Sequence, residues 1–292
     1  MRRPPLHIVI PTVKGREQIL TQCIVSILGQ TYTDFDIHIC TTNTDLVVGN
    51  RNSPLLASRF LGSLREMGHK VLIYPDYKMQ GPGAAVQQVL DRLEGDLVFR
   101  VDDDVILTPR VLDKLTEVMR MDCKIAAVGC PVNGFGATFV NYQKYWEETA
   151  NQPHLVGNGN YEKMNDNFQY HSCMGGFEVA EVDFLSGYAV LFDRGVLAAC
   201  GGYADPSAPK WHTEDWYAFL KLRKAGYRLM IRGDAIAFHH HHFDDHSHQF
   251  GRSRADEDKT IFRKFKDNLD LPKDRKIGRV SSELLAKQRE GV

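Results

Sequence analysis

Leu97-Val98-Phe99-Arg100-Val101-Asp102-Asp103-Asp104 is the stretch on which the fold turns. Its first five residues form an apolar run of strand length. The run ends in three consecutive carboxylates, followed by Val105-Ile106-Leu107 and Thr108-Pro109. Like charges at a strand end repel unless a cation lies between them, and a divalent ion with oxygen ligands supplies one. A solvated acidic turn is the plain alternative. The strand before the triplet and the helix start expected at Thr108-Pro109 favour the cation.

Upstream, the pattern is regular. Leu6 to Ile10 reads as a strand ended by Pro11-Thr12, and a helix follows from about Arg16. Ile19, Leu20, Cys23, Ile24, Ile27 and Leu28 give that helix one wide apolar face, with Gly29 as its closing glycine. Asp36 to Cys40 is a second strand, and Thr41 to Asp45 its loop. A helix over about Ser53–Met67 ends at Gly68, and Lys70 to Tyr74 is a third strand. Gln80-Gly81-Pro82-Gly83 opens a helix through Leu93 that Gly95 closes. Three such β-α units before the aspartates predict an α/β fold with a mostly parallel central sheet flanked by helices. Ligands of such sheets bind beyond the carboxyl ends of the strands. There the sequence places Thr12 to Arg16, Thr41 to Asp45, Asp76 to Gly83 and the aspartates.

Downstream, Thr108 is the expected cap of a helix started by Pro109, and Ala126 to Cys130 is another strand. Residues 131–181 lose periodicity, and Tyr142, Tyr145, Trp146, Tyr161, Phe168 and Tyr170 are spread among polar residues. Aromatics so placed suit stacking on a flat substrate or a satellite core under a long loop. Val182 to Phe192 is apolar apart from Ser186-Gly187. Thr213-Glu214-Asp215 leads into a helix ended by Gly226, and short strands over Tyr227–Ile231 and Ala235–Phe238 precede the run His239 to His242. Residues 243–292 form a charged tail with weak helical runs, a candidate surface for a homo-oligomer.

The 292-residue chain is 43% hydrophobic, and its net charge is −1, so no global field draws nucleic acid or an anionic membrane. No apolar run reaches the roughly 20 residues of a membrane span. The six cysteines are scattered without a CxxC pair, which suits a reducing, cytoplasmic setting.

Several of these elements together resemble the family 2 glycosyltransferases of GT-A fold. Ile8-Val9-Ile10-Pro11-Thr12 and Gln30-Thr31-Tyr32 are similar to that family's first unit, and Asp102-x-Asp104 to its DxD motif. Ser186-Gly187 to Arg194 resembles its acceptor-side segment. Glu214-Asp215 with Leu222 to Tyr227 resembles its "ED" to "GY" signature. The likeness runs over about Leu6–His242. It implies a GT-A domain over 1–242, with a nucleotide-binding half at 1–130 and a smaller acceptor and catalytic half at 131–242.

The resemblance implies a nucleotide-sugar donor, UDP-sugar first, and an acceptor hydroxyl, saccharide first. It implies Mn²⁺ or Mg²⁺ on Asp104 and Asp102, with His239 first among the histidines and His240 or His241 as substitutes. Asp103 is expected to touch sugar or phosphate. Pro11, Thr12, Arg16, Thr42, Asn43, Asp76, Gln80 and Gly83 join Asp102 and Asp103 as donor-binding candidates. Asp215 is the expected general base, with Glu214 competing, and reaction with inversion at the sugar carbon is carried over from the family. A separate zinc site in the histidine run also fits imidazole chemistry. Two departures stand out: Asn43 or Asp45 occupies the loop where the family carries an acidic residue, and Gln87 lies where its "ARN" helix is expected. A sugar-nucleotide pyrophosphorylase is disfavoured by the single glycine of Pro11 to Arg16. A non-catalytic sugar- or metal-binding module is the remaining rival.

Overall fold

A computed structural model describes residues 6–47, 53–75, 81–95, 97–130, 179–182, 185, 187–204 and 214–240. Asp76, Gln80, His241, the aromatic-rich stretch up to residue 178 and the tail 243–292 lie outside the described residues.

The first half follows the expected alternation. It runs β1 Leu6–Thr12, α1 Glu17–Leu28, β2 Phe35–Thr41, a short α2 Thr44–Val47, α3 Leu56–Glu66, β3 Val71–Pro75, α4 Pro82–Leu90 and β4 Leu97–Val101. Then come β5 Val105–Leu107, α5 Val111–Met119 and β6 Ile125–Gly129. The second half holds β7 Val179–Val182, β8 Ala189–Asp193, α6 Arg194–Ala199, α7 Glu214–Lys224, β9 Arg228–Arg232 and β10 Ala237–His239. Eight strands make one sheet in the order β3-β2-β1-β4-β8-β6-β9-β7, and β10 pairs with β5 in a separate ribbon. The strands from β3 to β4 are parallel, as are β6 and β9. β8 runs antiparallel between β4 and β6, and β7 is antiparallel to β9. The mostly parallel sheet of the sequence reading is therefore present, with two reversed strands in its second half.

Period-two alternation divides the core between the two faces of the sheet. Leu6, Ile8, Ile10, Phe99, Val101 and Leu191 pack with Leu20, Cys23, Ile24 and Ile27 of α1 and with α3 and α5. Val9, Val98, Val190 and Phe192 face the other way, against Val86 and Val89 of α4 and Phe219 and Leu222 of α7. Near-continuous apolar strands are what a sheet covered on both faces requires.

Three local features differ from the sequence reading. Thr108 does not cap α5: its N–H and Oγ1 both donate to the Ile236 carbonyl, at 3.1 and 2.8 Å, on the approach to β10. The helix starts later, at Val111, after Arg110 takes a left-handed φ of 72°. Gln30 caps it from a distance, its Oε1 accepting from Leu112 N at 3.2 Å. Gly29 closes α1 at φ −78°, an ordinary right-handed value, so its glycine freedom goes unused; Gly68 at φ 93° is the left-handed stop after α3. Finally, α4 ends at Leu90, and Leu93 is buried beyond it rather than within it. Among the described residues no helix is long and apolar enough to cross a membrane.

Candidate active site

The aspartates occupy a turn at the carboxyl end of β4, closed by Val105 N–H donating to the Asp102 carbonyl at 3.2 Å. Its backbone is fixed from both sides. Asp102 N–H donates to the Tyr188 carbonyl at 2.8 Å, and His240 N–H donates to the Asp104 carbonyl at 2.9 Å. The β5–β10 ribbon pairs His239 with Val105, which brings the end of β10 beside the turn.

The three carboxylates have separate surroundings. Asp103 faces inward with 5% of its side chain exposed, and Arg16 donates to both its oxygens at 2.7 to 3.0 Å. Thr12 Oγ1 adds a further bond to Asp103 Oδ2 at 2.5 Å. Burial pushes the Asp103 carboxyl up to about 6, against the opposing pull of Arg16 and Thr12. Asp104 lies between two basic side chains: Arg16 Nη2 is 2.8 Å from one oxygen and His239 Nε2 is 3.0 Å from the other. Burial alone would raise the Asp104 pKa, but His239 and Arg16 outweigh it and hold the carboxyl well below its usual range. Asp102 is the most open, 27% exposed, and Arg100 Nη2 reaches its Oδ1 at 2.8 Å.

Burial would lower the pKa of His239, but its hydrogen bond to Asp104 and the charges of Asp102 and Asp104 raise it. Its ring lies tilted against Tyr188, centroids 5.4 Å apart. One ligand atom from each of Asp102, Asp104 and His239 falls within 4.8 Å of the other two. Two carboxylate oxygens and an imidazole nitrogen form a donor set that suits Mn²⁺ or Mg²⁺.

Asp215, the second residue of α7, reaches the same end of the sheet. Its Oδ2 accepts from Gly187 N–H at 2.6 Å. A Cβ at Gly187 would lie 2.7 Å from Arg100 Nη1 and 2.8 Å from the Asp215 Cβ, so only glycine lets these two side chains close over it. Asp102, Arg100, Gly187 and Asp215 thus form one contiguous group. Glu214 opens α7 one residue earlier.

The loops after β1 and β2 are tied together beside this group. Glu17 Oε1 accepts from Gly15 N–H at 2.9 Å and from Asn43 Nδ2. Thr42 Oγ1 accepts from Lys14 N–H at 3.1 Å. Asn43 is buried and its Oδ1 takes Asp45 N–H at 2.9 Å, so it starts the short α2. Pro11 and Thr12 end β1, and Gly83 lies in the first turn of α4. Gln87 is engaged elsewhere, its Oε1 accepting from Tyr203 and Ala204 N–H at 2.6 and 3.2 Å.

Arg100, Glu17 and Tyr188 have parts that the sequence reading did not assign. Arg100 carried a signal, as the one cation in an apolar strand that leads directly into three aspartates. Glu17 and Tyr188 carried none, because their partners lie far away in the chain.

A mostly parallel sheet with a carboxylate–histidine cluster at its strand ends and an acidic helix start beside it defines a GT-A glycosyltransferase architecture. The chain belongs to glycosyl transferase family 2, whose profile matches residues 7–184. Similar solved structures share the fold at low identity. A mannosyltransferase from Pyrobaculum calidifontis, in complex with GDP-Man and Mn²⁺, is 14% identical with TM-score 0.58, over 100% of this chain and 80% of its own. GalNAc-T7 with UDP, GalNAc and Mn²⁺ is 13% identical with TM-score 0.60, over 99% of this chain and 55% of its own. TarS of S. aureus with UDP-GlcNAc is 14% identical with TM-score 0.55, over 82% of this chain and 60% of its own. Among curated proteins, a CCA-adding enzyme of Coxiella burnetii is 28% identical over 142 residues, which cover 42% of this chain and 38% of that enzyme.

Proposed function

We propose that this chain is a metal-dependent, inverting glycosyltransferase that moves a sugar from a nucleotide-diphosphate sugar to an acceptor hydroxyl. The supporting observation is the convergence of Asp102, Asp104 and His239, with Asp215 joined to them through Gly187 and Arg100. Solved relatives of the same fold hold GDP-Man or UDP with Mn²⁺, which supports the donor class and the ion. UDP-sugar is our first donor and a saccharide our first acceptor.

Asp102, Asp104 and His239 would hold Mn²⁺ or Mg²⁺, which when bound supplies positive charge to the departing diphosphate. Arg16 helps keep Asp104 ionised, and Arg100 orients Asp102. Asp103 is a positioning residue, clamping Arg16 from within rather than touching the sugar. Asp215 is the general base, its rotamer fixed by Gly187 N–H. It takes the proton of the acceptor hydroxyl as that oxygen bonds to the anomeric carbon. The bond from that carbon to the diphosphate oxygen breaks, and its electron pair leaves with the nucleoside diphosphate.

The test is a panel of UDP- and GDP-sugars with saccharide acceptors, with and without Mn²⁺, read as nucleoside diphosphate release and product mass. Metal-dependent release with a product one sugar heavier is expected, and inverted anomeric configuration by NMR. Asp104→Ala is expected to abolish metal-dependent nucleotide binding in calorimetry, and unchanged affinity would remove that assignment. Nucleotide binding without transfer from any donor would identify a non-catalytic binding module.

A further inference from the structure

A second cluster of ligating side chains lies at the opposite end of the sheet. His7 on β1 and Asp36 on β2 are register partners, and His38 is two residues further along β2, so all three project from one face. That face is the one covered by α4, as its neighbours Val9 and Cys40 show. His7 pairs with Val98 at the start of β4, whereas the aspartates follow that strand's end. Two imidazoles and a carboxylate are an unusual set to enclose in a core. His7 is 5% and His38 2% exposed.

The geometry is that of a prepared site. His7 Nδ1 is 3.1 Å from His38 Nε2 and 3.8 Å from Asp36 Oδ2. All three ligand atoms fall within 4.8 Å of one another. Tetrahedral zinc with bonds of about 2.0 to 2.1 Å sets its ligand atoms about 3.3 Å apart, so small adjustments suffice. Both rings are anchored through their far nitrogens. His7 Nε2 is 2.8 Å from the Glu94 carbonyl, and His38 Nδ1 is 3.0 Å from Tyr74 Oη. A carbonyl can only accept, so His7 carries a proton on Nε2, and Nδ1 is the nitrogen it turns toward His38 and Asp36. Such outer contacts are how proteins orient metal-binding histidines. Gly95 makes room for the ring, since a Cβ there would lie 3.0 Å from His7 Nε2.

We propose that His7, Asp36 and His38 form a zinc site, distinct from the Asp102–Asp104–His239 group, that ties β1 to β2 beneath α4. Lys70, 62% exposed, pairs with Asp36 on the open side and is the cation that zinc displaces there. His38 then ligates through Nε2 and donates Nδ1–H to the Tyr74 oxygen. Zinc binding therefore moves the His38 proton from Nε2 to Nδ1. Metal-free, the same groups close into a chain from Tyr74 through His38 and His7 to the Glu94 carbonyl.

The test uses the full chain with His239, His240, His241 and His242 replaced by Ala and Asp104 by Ala, so that the strand-end group and the histidine run are removed. Zinc content after dialysis is read by elemental analysis, and the visible spectrum is recorded with Co²⁺ in place of zinc. Retention of about one zinc per chain and the intense bands of a tetrahedral Co²⁺ site are expected. Adding His38→Gln or Asp36→Asn abolishes both, and Tyr74→Phe weakens zinc binding by about tenfold. If His38→Gln fails to fold, Asp36→Asn reads the same zinc loss independently. No zinc retained in the background chain, or retention unchanged by Asp36→Asn, overturns the site and leaves the hydrogen-bonded chain as its whole role.

Discussion

Gly187 donates its N–H to Asp215 Oδ2 at 2.6 Å, and that bond joins the start of α7 to the segment leading into β8, the antiparallel neighbour of β4, whose end carries the aspartates. The glycine is closed in on both sides, because a methyl group there would meet Arg100 Nη1 at 2.7 Å and Asp215 Cβ at 2.8 Å. A substitution at Gly187 therefore acts on two functional side chains without altering either.

Gly187→Ala is expected to lower kcat by about two orders of magnitude, the cost of misplacing a reacting group by about 1 Å. The thermal midpoint should shift little by comparison. Wild-type turnover in the folded variant would show that Asp215 does not need this position.

Asp215→Asn removes the proposed base and keeps the shape of the side chain. Transfer should fall by roughly 10²- to 10⁴-fold, with the nucleotide affinity measured by calorimetry unchanged. Glu214→Gln is expected to stay near wild type. The reverse pattern would move the base to Glu214.

Arg16 is the shared cation of Asp103 and Asp104, with 15% of its side chain exposed. Arg16→Gln removes the guanidinium that both buried carboxylates share, leaving Thr12 on Asp103 and His239 on Asp104, so a loss of roughly 3 kcal/mol is expected from the urea midpoint. Adding Asp103→Asn to that variant should recover part of it. Equal stability of Arg16→Gln and wild type would show that the pair is not a structural clamp.

His38 gives the zinc-free protein an acid sensitivity. Burial first, then His7 and Lys70, lowers its pKa from 6.5 to about 4, with Asp36 opposing. Between those values the unfolded chain holds a proton that the folded chain does not, so stability falls as pH drops from 6.5 toward 4. The folded form loses up to about 3 kcal/mol across that window. Urea midpoints at several pH values should show the slope, and His38→Gln should flatten it. Parallel profiles for the two proteins would rule out His38 as its source.

The first half of the fold was legible because each element announced itself locally. Ile8 to Ile10 and Leu97 to Val101 are apolar runs of strand length, and Leu20, Cys23, Ile24 and Ile27 recur at helical spacing. Thr108 shows where local reading stops. Its sequence context is that of a helix cap, yet Ile236 takes both its donors and Gln30 caps the helix instead. A partner more than 100 residues away competes for the same hydrogen bonds and prevails. The reversal of β8 was hidden for a similar reason, since an apolar strand carries no mark of its direction.

The sequence by itself determined the layered α/β architecture and the carboxylate triplet at a strand end, because periodicity and charge are local properties of the chain. Tertiary structure alone decided what each carboxylate became. Arg16 and Thr12 turn Asp103 inward, His239 arrives at Asp104 by way of a ribbon formed with β5, and Asp215 is placed by a backbone N–H on another segment. It also brought His7 and His38, 31 residues apart, ring to ring. The physical reason is the same in each case: a charge or hydrogen-bonding group takes its pKa, orientation and use from the neighbours that folding brings within a few ångströms.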